Sequence, residues 1–200
     1  MMFLDPKSTL YTCVKESCED CKAANKLVCH FNGAQLFRFL LINFPLFIIA
    51  GYVIYRFNHV LLLPWVIFIF SYFGLMEIRV MCSHCPHYAE PGLKALKCWA
   101  NYGSPKLWKY RPGPTSITEK IVFISGFLIM LLPPLIFLII QRNFVFASIY
   151  LVLLVGWKIG LRVSFCKKCI NFACLFNAVG SDTRDSFFAN NPVVRNAWKK

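Results

Sequence analysis

From Phe39 to Tyr55 the chain carries one strongly polar residue, Asn43. A second apolar run extends from Val60 to Met76, and a third, without a charge in it, from Ile121 to Ile140. A fourth runs from Phe144 to Trp157 and reaches Val163 if Lys158 and Arg162 extend to a headgroup layer. A helix that crosses a bilayer needs about 17 to 25 mostly apolar residues. The first and second runs gain length at their ends from Arg38, Glu77 and Arg79, whose polar ends can snorkel. The pattern predicts an all-α integral membrane protein, a bundle of four transmembrane helices at about 36–56, 60–80, 120–141 and 144–162. Four uncharged runs of this length argue against a soluble helical core. Pro45 and Pro64 fall in or near these runs, and Pro133-Pro134 predicts a bend in the third helix.

The connections are unequal. Arg56-Phe57-Asn58-His59 joins the first two helices and Gln141-Arg142-Asn143 the last two. The segment 1–35, the loop 81–119 and the tail 164–200 then share the opposite face, outside a membrane domain spanning 36–163. Of 22 Lys and Arg, only Arg56 and Arg142 lie on the short-turn side. Cytoplasmic loops carry the excess of Lys and Arg, which predicts that both termini are cytoplasmic. Composition agrees with a membrane protein: 58% hydrophobic residues, a mean hydropathy of +0.55 and only 16% charged residues, against about 25% in soluble domains. The first thirty residues contain no apolar stretch of the signal-peptide kind. The net charge of +13 is accounted for by topology and by attraction to anionic lipid headgroups. No motif points to nucleic acid.

All ten cysteines lie on the face assigned to the cytoplasm. The first group is Cys13-x4-Cys18-x2-Cys21-x7-Cys29, the second Cys82-x2-Cys85-x12-Cys98, the third Cys166-x2-Cys169-x4-Cys174. Helix two ends in Arg79-Val-Met-Cys82-Ser-His-Cys85, and helix four in Arg162-Val-Ser-Phe-Cys166-Lys-Lys-Cys169. Each half thus reads as a helical hairpin followed by a Cys pair, which predicts two repeats about an axis along the membrane normal.

A reducing cytoplasm disfavours disulfides, and clustered thiols there point to metal or redox chemistry. A C-x-x-C turn lets two thiolates approach one ion, and two such turns complete a tetrahedral zinc site. The expectation is one site from Cys13, Cys18, Cys21 and Cys29 and another from Cys82, Cys85, Cys166 and Cys169. Cys98 and Cys174 are spare ligands or the fourth ligands of rearranged sites. Zinc is the first expectation, because short extramembrane segments build little core and need staples. Iron–sulfur clusters are the alternative, since Cys13-x4-Cys18-x2-Cys21 has the plant-type ferredoxin spacing. In layout the chain is similar to membrane-anchored ferredoxin-type electron carriers, whose motifs it does not share. A third reading, redox-active thiols, rests on the low pKa that C-x-x-C can confer.

His59 lies in a turn and the other three histidines lie among cysteines, so no bis-histidine haem is expected. His84 and His87 read as solvated residues or as ligands and their partners. Glu77 reads as an interfacial carboxylate pairing with Arg or Lys, with a proton or ion site as the alternative. The loop Trp99–Pro114 interleaves aromatics with Lys106, Lys109 and Arg111, which predicts a segment on the membrane surface or a dock for a protein partner. Ser116-x-x-Glu119 is a capping box for the third helix. No nucleophile–base pair, phosphate-binding Gly loop or paired carboxylate appears. The functional expectation is therefore a non-enzymatic, metal-stapled scaffold or complex subunit. The alternative is an iron–sulfur subunit linking a cytoplasmic donor to a membrane quinone.

Overall fold

The computed structural model describes residues 3–199 except Pro6, Asp20 and Asn25. It is all-helical. Among the described residues there is no strand, only isolated bridges pairing Val28 with Cys169 and Ala95 with Pro105. Four helices are long and apolar enough to cross a membrane: α1 (Gly33–Phe57), α2 (His59–His84), α3 (Ile117–Ile140) and α4 (Phe144–Lys168). Their 24 to 26 residues correspond to about 36 to 39 Å at helical rise, longer than a hydrocarbon core of about 30 Å.

The helix ends follow local chemistry. Asn32 accepts a hydrogen bond from the Gln35 amide at 2.9 Å, and the Gln35 side chain accepts one from the Asn32 amide at 3.0 Å, so α1 begins at Gly33. Ser116 and Glu119 form the same reciprocal box on α3. These boxes satisfy amides that a helix start would leave bare. The turn between α3 and α4 is closed by Arg142, whose φ of 55° is left-handed. α3 runs unbroken through Pro133 and Pro134. α2 is interrupted by a π turn at Tyr72–Met76.

The surface of the four helices is apolar outside as well as inside: Ile48, Leu63, Phe70 and Val152 are each more than 60% exposed. Such a surface suits lipid and not water. Within the bundle, Ala50 and Met130 are completely buried, packed with Leu46, Val53 and Tyr150. Polar groups in the bundle find internal partners, as a low-dielectric surrounding demands. Trp65 Nε1 donates to the Met130 carbonyl oxygen at 3.0 Å, and Tyr150 Oη to that of Leu131 at 3.1 Å. Asn43 accepts from Trp157 Nε1 at 2.9 Å and donates to the Phe39 carbonyl oxygen at 2.6 Å. Its amide is thereby committed to joining α1 and α4.

The segments outside the helices pack on one another at one end of the bundle. Leu10, Ala23 and Leu27 share a small core with Ile170, Phe187 and Val194. The tail forms two short helices, α5 (Ser181–Asn190) and α6 (Pro192–Trp198). The Val14 amide donates to the Asn190 carbonyl oxygen and the Val28 amide to that of Lys168, each at 2.9 Å. Tyr11 donates its amide to Glu90 at 2.9 Å, which ties in the long loop.

Candidate functional site

All ten cysteines are free thiols. In the N-terminal segment, tight turns set their positions: the Cys13 amide bonds the Leu10 carbonyl oxygen at 2.9 Å and the Cys21 amide that of Cys18 at 3.3 Å. Cys13, Cys18, Cys21 and Cys29 line one small cavity of about 20 Å³, walled by Leu10 and Phe187. Cys18 Sγ donates to the Ser8 carbonyl oxygen at 3.5 Å, and Asn190 Nδ2 of α5 donates to Cys21 Sγ at 3.9 Å. Burial, then the three neighbouring thiols, push Cys29 up to about 12.

The other six thiols gather where α2 and α4 end. Both helices leave the bundle by the same backbone path. Met81 has φ −128° and ψ −54°, Phe165 −126° and −52°. Each is followed by a one-turn 3-10 helix, Cys82–His84 or Cys166–Lys168. The second cysteine of each pair is extended, Cys85 at −76° and 135°, Cys169 at −83° and 128°. Cys169 has Cys85, Cys174 and Cys166 around it. Cys85 is also within electrostatic reach of Cys98.

Asn101 organises one side of this group. Its amide donates to Cys98 Sγ at 3.3 Å, and its side chain donates to Cys82 Sγ at 3.0 Å and to Glu77 Oε2. Burial pushes Cys98 up to about 11 and Cys174 to about 12. It raises Cys85 and Cys169 further, with their neighbouring thiols adding to the effect. A buried thiol of this kind is inert unless a cation compensates the thiolate.

Three sequence readings are corrected here. Glu77 is not an interfacial carboxylate paired with a cation. It is buried and held by Asn101 and Cys82, the latter at 3.6 Å. Arg79 turns instead to Glu119 at 3.4 Å, beside Arg111 at 2.6 Å. His84 and His87 are not solvated. His84 is buried against the Gly113 carbonyl oxygen at 3.0 Å and Glu119 at 3.4 Å. His87 is buried beside Phe31, and desolvation holds it down at about 3. Trp99 does not lie on a membrane surface: it is buried against Phe31 and Phe165. Trp108 and Tyr110 do line an open cleft of 420 Å³, with Tyr11, Tyr88, Glu90 and Lys106.

Asn101 and His30, which is also buried, had no signal in the sequence beyond proximity to Cys98 and Cys29. As the side chains stand, no three His, Cys, Asp or Glu among the described residues converge tightly enough to hold a metal ion. The donor chemistry, C-x-x-C turns and grouped buried thiols, suits zinc or an iron–sulfur cluster. Comparison with family models, with curated proteins and with solved structures finds no match for this chain.

Proposed function

We propose that this chain is a non-enzymatic membrane scaffold or complex subunit whose thiol-rich end is stapled by zinc at two centres. The observation that supports this most is the partition of ten thiols into two groups at one end of the bundle. One group is the cavity of Cys13, Cys18, Cys21 and Cys29. The other takes Cys82, Cys85 and Cys98 from the first half of the chain and Cys166, Cys169 and Cys174 from the second. A change between staggered χ1 rotamers moves a thiol by about 3 Å, so closing on an ion would call on rotamer changes and leave the backbone turns in place. When bound, zinc supplies charge compensation and cross-linking, without redox chemistry. The matched backbone at Met81 and Phe165 supports two hairpin repeats with one exit turn each. An ion shared by their thiols would hold the halves together.

On this reading the thiol-rich end is a cytoplasmic cap and both termini are cytoplasmic, from the Lys and Arg bias. The partners are the bilayer, anionic headgroups against the basic edge, and a protein that docks at the aromatic and basic loop. Iron–sulfur electron transfer is the second reading, supported by the spacing Cys13-x4-Cys18-x2-Cys21. Thiol redox catalysis is disfavoured, because burial raises the thiols where that chemistry wants them lowered.

The test is metal analysis of the full-length protein and its variants in detergent. Cys85→Ser and Cys169→Ser should each lose the same equivalent of zinc, and Cys13→Ser a different one. Loss in Cys85→Ser alone would mean that no ion joins the two halves. Unchanged metal in all three variants would defeat the proposal.

A further inference from the structure

His30 and His87 are 57 positions apart in sequence, yet their rings face each other with centroids 5.8 Å apart and planes at 63°. His30 is 6% exposed and His87 5%. Both ring nitrogens of His30 and Nε2 of His87 are buried without a hydrogen-bond partner. Phe31 lies 4.6 Å from the His87 ring and packs in turn against Trp99 at 4.1 Å, with ring planes tilted by 59°. Buried polar atoms are nearly always satisfied, and each one left bare costs about 1 to 3 kcal/mol. Three unpartnered nitrogens on two adjacent buried rings call for a partner of their own.

Neither histidine fills that role for the other, since no hydrogen bond joins the two rings. A metal ion does. With a metal–nitrogen bond of about 2.0 Å, two imidazoles on one ion have ring centres about 5 to 6 Å apart, the separation found here. Neutral imidazole suits zinc and copper among the common ions. We propose that His30 and His87 form a third, imidazole-based site for a transition-metal ion of the zinc and copper class. Its ligands are imidazoles and not thiols: His30 follows Cys29 of one group, and His87 lies within the other, two residues after Cys85. An ion there would cross-link the N-terminal segment to the long loop.

The test uses the reduced full-length protein in detergent, titrated with Zn²⁺, with X-ray absorption at the zinc edge reporting nitrogen and sulfur ligands separately. The variants are His30→Gln and His87→Gln, which keep a polar side chain in place. Both should lose one equivalent of zinc and the imidazole signal while keeping the sulfur shell. A sulfur shell without imidazole in the wild type overturns this site and leaves the thiol centres standing. An imidazole signal lost in only one of the two variants also overturns it, because that histidine would then serve a thiol centre. Imidazole without sulfur sustains this site and defeats the thiol centres, and no bound zinc defeats both.

Discussion

The ring of Tyr72 occupies the space where a side chain on Gly126 would stand: a Cβ built there would fall within the ring. Tyr72 Oη donates to the Phe123 carbonyl oxygen at 2.8 Å, one turn earlier on α3. The π turn that starts at Tyr72 and the absent side chain at Gly126 thus belong to one contact between α2 and α3. Gly126→Ala should destabilise the bundle by about 1 to 3 kcal/mol through overpacking. Denaturation in detergent measures this. Tyr72→Phe should cost less, about 1 kcal/mol, since only the hydroxyl bond is lost. An unchanged Gly126→Ala protein would mean that α2 and α3 do not pack as described.

Asn101 joins Glu77 to Cys82 and Cys98. Asn101→Ala leaves the buried Glu77 carboxyl with the weak Cys82 thiol as its donor and should cost about 1 to 3 kcal/mol. Combining it with Glu77→Gln should cost less than the sum of the two, with a coupling of about 0.5 to 3 kcal/mol. Additive effects would show that the two side chains do not meet.

Tyr110 has a buried hydroxyl with no hydrogen-bond partner, and burial, then Cys85, raise its pKa above the ordinary 10.0. The unfolded chain loses this proton near pH 10 and the folded chain holds it. The folded state therefore binds more protons above pH 10, so stability falls as pH rises. Tyr110→Phe should flatten that alkaline decline relative to wild type and be neutral or stabilising at pH 7. Parallel denaturation curves at pH 7, 9 and 10.5 make the comparison. An equal alkaline decline in both proteins would contradict it.

Much of this was legible in the sequence. The apolar runs gave four helices because length and uncharged composition are local properties, and Ser116-x-x-Glu119 marked the start of α3 for the same reason. Asn32-x-x-Gln35 carries an equivalent signal and starts α1 earlier than the apolar run alone suggests. The π turn was hidden: it starts at Tyr72, whose partner on α3 is distant in sequence. The grouping of Cys13, Cys18, Cys21 and Cys29 followed from short spacing, whereas the place of Cys98 depends on how the loop folds back through Asn101. The surroundings of Glu77, His84 and His87 were misread for a related cause. Polar residues near a helix end look solvated until the segments that cover them are known.

Topology is open to direct labelling. In intact cells an impermeant maleimide should fail to reach Cys13 and should modify a cysteine placed at the exposed Arg142 turn. Permeabilisation should expose Cys13. Ready labelling of Cys13 in intact cells would reverse the orientation.

Metal held by the thiols of this chain is what the proposed function depends on. The most direct measurement is elemental analysis with a visible spectrum on anaerobically purified full-length protein. The account predicts a colourless protein with zinc bound through thiolates. A broad absorbance near roughly 400 nm that bleaches on reduction, with iron and sulfide present, would replace zinc by clusters and scaffold by electron carrier. Ten titratable thiols and no metal would contradict the account altogether.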